Sequence, residues 1–105
     1  MERLVLKVTG RTNIGEFAVF RTGHANDEVN IDVSDTYWFP NKEVDVGDLV
    51  VLYTKAGEFR EKELKAGGKA HFYYWDRPAA VWADADVAAV VLHAPEWEGK
   101  IASDL

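Results

Sequence analysis

The sequence predicts an all-β domain, a sandwich or small barrel of seven to eight short strands. Short apolar or alternating runs recur at intervals of about ten residues, with Gly, Pro, Asn and Asp between them. One run, Leu49-Val50-Val51-Leu52-Tyr53, is apolar on both sides and too short for a helix. A strand of that kind must be covered on both sides, which makes it the central strand between two layers. The one piece with helix propensity, Glu58 to Lys65, has no apolar stripe, and only Phe59 and Leu64 to bury.

Taken in order, Arg3 to Val8 opens the chain as a strand, with Leu4, Leu6 and Val8 on one side and Arg3 and Lys7 on the other. Thr9 to Gly15 is a loop. Glu16 to Arg21 is a second strand in which neither face is clearly wet. Gly23 to Asp27 is turn chemistry. Glu28 to Val33 then gives the cleanest alternation in the chain, with Val29, Ile31 and Val33 expected inward and Glu28, Asn30 and Asp32 in water. Thr36-Tyr37-Trp38-Phe39 reads as a short aromatic strand stopped by Pro40-Asn41.

Val46-Gly47-Asp48 is the turn into the central strand, and Gly47 suits a position that needs positive φ. Glu58/Lys62 and Glu61/Lys65 stand at i,i+4 and Gly67-Gly68 follows, so a short helix or ordered loop is expected near residues 58–65. Ala70 to Trp75 is an aromatic strand, closed by Asp76-Arg77-Pro78. Asp84 or Asp86 would cap a helix over Val87 to Ala94, but Val87, Val90, Val91 and Leu92 favour a strand.

With 105 residues and no linker, repeat or low-complexity segment, the chain reads as a single domain, 1–105. Its net charge of −6 and pI near 4.9 argue against a sequence-independent nucleic-acid binder and against an anionic membrane surface. Lys55, Arg60, Lys62, Lys65 and Lys69 fall close together, but Glu58, Glu61 and Glu63 are interleaved, which favours a solvated stretch of mixed charge. There is no Cys, so no disulfide, zinc thiolate or thiol nucleophile. Without a signal-peptide core or an apolar run of membrane length, cytoplasm is the default, with a virion or signal-less export left open.

Several pieces together resemble the lamin-tail domain family. They are Glu16-Phe17-Ala18-Val19-Phe20, Phe39-Pro40, Val46 through Thr54, Tyr74-Trp75, Val81-Trp82 and Asp86-Val87-Ala88-Ala89-Val90, in that order over residues 14–93. The Gly-Trp with alternating Leu that usually follows the family's second strand is replaced by Glu28 to Val33. The resemblance implies an immunoglobulin-like β-sandwich and a non-catalytic module, often attached to other proteins and used for contacts with partners.

The residues themselves offer little chemistry. The two serines, Ser34 and Ser103, lie in no nucleophile turn, and Gly67-Gly68 lacks the Lys-Ser/Thr of a phosphate loop. His71 and His93 would form a minimal metal site if they were cross-strand neighbours, but no ligand spacing supports it. Asp84 and Asp86, or Asp27 with Glu28, Asn30 and Asp32, match no calcium loop and are explained by turn capping and solvated strand faces. No catalytic residue, metal ligand or cofactor is therefore assigned.

The informative feature is the surplus of rings. Ala70 to Trp75 carries aromatics on both faces, so either both faces are covered or one is a contact patch; Tyr73 and Trp75 are the candidate contact residues, and Trp97 in the acidic tail is a third. The leading expectation is a structural module acting through a protein partner or a second copy of itself. The alternative is a carbohydrate-binding module in which Tyr73, Trp75 and Asp76 stack and bind a sugar. A hydrolase built on His71 and His93 stands last.

Overall fold

The computed structural model describes residues 2–25, 28–83 and 87–104. Nine strands run through them: β1 Arg3–Lys7, β2 Thr12–Asn13, β3 Phe17–Ala25, β4 Glu28–Trp38, β5 Glu43–Val44, β6 Leu49–Tyr53, β7 Arg60–Glu63, β8 Lys69–Tyr74 and β9 Val87–His93. They form three open sheets, ordered β1-β6-β8-β7, β2-β5 and β4-β3-β9. Among the described residues the only helical pieces are the 3-10 turns Ile14–Glu16 and Ala102–Asp104, and no helix is long and apolar enough to cross a membrane.

β6 is an interior strand, antiparallel to β1 and parallel to β8. Gly47 has φ +90, so the turn before β6 has the geometry its sequence called for. Val50 and Leu52 enter a core shared with Val8, Ile14, Val19, Phe39, Val44 and Tyr73, so side chains from all three sheets meet there. Val51 points to the other face and is also buried, but not beneath a second layer. It is held in register between Val5 and Phe72, on a face where Arg3, Val5 and Lys7 are exposed. Lateral neighbours can bury a small β-branched side chain, which is why the apolar run overstated its cover.

Two further expectations are corrected. The helix near residues 58–65 is absent; residues 60–63 form β7, antiparallel to β8. Exposed Glu/Lys pairs hold a helix only weakly in water, whereas pairing with β8 satisfies the backbone and brings the Phe59 ring to 4.8 Å from Tyr73. Val29 and Val33, expected inward, are 56% and 49% exposed. The β3–β4 hairpin runs past the core, and its register shifts between Arg21 and His24, so alternation there no longer maps onto inside and outside. Thr36–Trp38 is the end of this one long strand, not a separate one.

A carboxylate directly before β1 ties that end of the strand to the loop after β8. Glu2 accepts from the backbone N–H groups of Val81 and Trp82 at 2.6 and 2.9 Å. That places Trp82 beside Trp75, with ring centroids 5.6 Å apart.

Candidate functional site

The three predicted contact aromatics are not brought together. Lys69–Tyr74 alternates, and it is Tyr73 that faces the core, 2% exposed, edge-on to Phe39 at 5.2 Å. Burial pushes its phenol up to about 12, and its hydroxyl has no hydrogen-bond partner. Tyr73 is therefore a core residue and cannot stack on a sugar. Trp75 is half-buried against Tyr37 and Trp82. Trp97 is 65% exposed, in the segment after β9, with its ring edge-to-face with Trp38 at 4.6 Å.

Trp38 is the residue that sequence reasoning missed. It ends β4, is 48% exposed, and its indole N–H donates to the Gly15 carbonyl at 2.8 Å, which fixes the ring. Ala18 and Leu92 flank it in register across β3 and β9, and Phe20, Thr36 and Val90 form the next row. Val19, Phe17 and Tyr37 take the opposite, core-facing side. The outer face of β4-β3-β9 thus presents two rows of apolar or uncharged side chains at this end, with Trp97 laid over one corner. The signal was present in the sequence as the alternation of Glu16 to Arg21, whose second face had no wet residue except Glu16.

A polar site lies at the other end of the four-stranded sheet. Asp48 is almost fully buried and accepts from the N–H groups of Asp45 at 3.1 Å and Lys69 at 3.0 Å, and from His71 Nε2 at 2.8 Å. An ionised carboxylate only accepts, so Nε2 carries the proton. The bond from His71, joined by the backbone donors, outweighs burial and holds the Asp48 carboxyl at about 2, below its usual 3.8. His71 Nδ1 has no hydrogen-bond partner and lies 3.4 Å from Glu61, which is itself paired with Lys42. A cavity of about 470 Å³ opens beside these groups. The arrangement locks the β5–β6 turn to the start of β8.

His93 is elsewhere, stacked on Phe17 at 4.3 Å and 3.0 Å from Glu16 Oε1. His71 and His93 are thus in different sheets and share no ligand. Among the described residues no three His, Cys, Asp or Glu side chains are grouped to hold a metal ion. Asp27, Asp84 and Asp86 lie outside the described residues.

Compared with protein-family models, curated proteins and solved structures, the chain matches none of them.

Proposed function

We propose that this protein is a non-catalytic contact module whose docking surface is the outer face of β4-β3-β9, and that its partner is a second copy of the chain. The observation that carries the reading is the Trp38–Trp97 pair, set among Ala18, Phe20, Val90 and Leu92 in two rows without charge at one end of that face. Large rings held in place lose little side-chain entropy on binding, and an apolar patch rimmed by polar residues is the usual anatomy of an interface core. The lamin-tail resemblance, with the immunoglobulin-like sandwich it implies, points to the same class of role.

The test is light scattering on a size-exclusion column across a concentration series. The expected result is a mass near twice the 11.8 kDa monomer at high concentration, lost in a Leu92→Lys/Trp97→Ser variant whose melting is unchanged. A monomer at every concentration refutes the self-association.

A second reading, sugar binding, keeps one specific support. Trp38, Trp97, Pro40 and Asn41 line a shallow cavity of about 300 Å³, pairing exposed ring surface with an amide. Quenching of tryptophan fluorescence by a polysaccharide, abolished by Trp97→Ala, would favour it over self-association.

A further inference from the structure

We propose that the other outer face, the solvent side of β1-β6-β8-β7, binds single-stranded nucleic acid. The proposal concerns a different sheet from the contact surface above and does not depend on it.

Strand alternation sorts what the sequence interleaves. In β7, Arg60 pairs in register with Phe72 and Lys62 with Ala70, while Glu61 pairs with His71 and Glu63 with Lys69. Paired residues share a face, so Arg60 and Lys62 go outward with Phe72, and Glu61 turns inward to Lys42 and His71. In β1 the same period sends Arg3, Val5 and Lys7 outward, opposite Tyr53, Val51 and Leu49. Lys55 follows on this side, its ammonium 5.3 Å from the Tyr53 ring centroid. The face carries Arg3, Lys7, Lys55, Arg60 and Lys62 on a chain whose net charge is −6. Among the described residues, no carboxylate lies within ion-pair distance of any of the five.

Between the cations stands a ladder of rings. Tyr53 and Tyr74 stack at 5.3 Å and 14°, and Tyr53 and Phe72 at 6.2 Å and 22°. All three are only half-buried, and with Lys55, Arg60 and Lys62 they line an open groove of about 510 Å³. The one acid that contributes to the groove's lining is Glu61, whose carboxylate is committed on the other side of the sheet. Four strands span about 14 Å, enough for a short run of nucleotides. Rings flanked by unpaired cations match a ligand that alternates a planar, apolar base with a phosphate, and only an unpaired strand exposes its base faces. An acidic peptide would satisfy the charge but not the rings, and a duplex would bury the bases.

The experiment is fluorescence anisotropy with a labelled thymidine oligonucleotide about ten nucleotides long, in about 50 mM salt with protein up to about 0.1 mM. The expected result is saturable binding whose log–log salt slope is about −2 to −3.5, for three to five phosphates at about 0.7 each. An abasic oligonucleotide of the same length should bind about fivefold more weakly or worse, which reads the ring contacts without altering the protein. Arg60→Glu/Lys62→Glu, both in an exposed edge strand, should abolish binding while leaving circular dichroism and melting unchanged. Arg60→Gln/Lys62→Gln should flatten the slope by about 1.4. Four outcomes overturn the proposal: no binding in this range, equal affinity for the abasic strand, equal displacement by polyglutamate, or binding untouched by the double charge reversal.

Discussion

Asp48 sets the pH at which this fold loses a measurable part of its stability. Its carboxyl moves from 3.8 to about 2 on folding, and at 1.36 kcal/mol per unit the ionised form contributes about 2 kcal/mol. A folded value below the unfolded one means the contribution is fully present above pH 3.8. It is lost as the pH falls from 3.8 through 2. Asp48→Asn removes the titration but keeps the size of the side chain. Its amide keeps one accepting oxygen, half the acceptor capacity, for three donors, the N–H groups of Asp45, Lys69 and His71. Urea unfolding followed by tryptophan fluorescence should show Asp48→Asn about 2 kcal/mol or more below wild type at pH 7. The gap should shrink by about 1.5 kcal/mol at pH 2.5, because wild type itself weakens there. A gap of the same size at both pH values would refute the assignment of this acid-sensitive term to Asp48.

Four further substitutions test the packing. Leu52→Ala should cost about 2–5 kcal/mol, since the side chain is fully enclosed in the core, and a loss well under that range would place the core elsewhere. Tyr73→Phe should be neutral or stabilising by up to about 1 kcal/mol, because the hydroxyl it removes is buried without a partner; destabilisation would reveal a bond to that oxygen. Gly68→Ala should cost about 1–3 kcal/mol, as its φ is +80 and a Cβ would stand 2.8 Å from the Gly47 carbonyl oxygen, whereas Gly67→Ala meets open space and should cost less. Equal losses at the two glycines in urea unfolding would argue against that close approach.

Much of the fold was legible because each signal is local. Gly47 and the apolar run after it located β6, and Val87 to Leu92 formed a strand, as its β-branched residues indicated. What was not legible depends on residues far apart in the chain. The parallel pairing of β6 with β8 has no sequence mark, and without it the two faces of Ala70–Trp75 cannot be told apart. The sequence accordingly offers Tyr73 as a contact candidate although it is a core residue, and gives no sign that Phe72 and Tyr74 line the outer groove. The same gap explains β7. The charges of Glu58 to Lys65 pair at i,i+4 and suggest a helical period, but β8 offers a neighbour, and the period becomes two. The interleaved charges of β7, a loop of mixed charge along the sequence, then separate onto opposite faces.

Those two outer faces, one uncharged and one cationic with stacked rings, can be tested together by amide chemical shifts. Diluting the protein should move resonances at Ala18, Phe20, Trp38, Val90, Leu92 and Trp97. Adding the thymidine oligonucleotide should move those at Val5, Tyr53, Arg60, Lys62, Phe72 and Tyr74. Shifts that fall on one shared set of residues in both titrations, or that gather around Asp48 and His71 instead, would contradict a molecule with two separate docking faces.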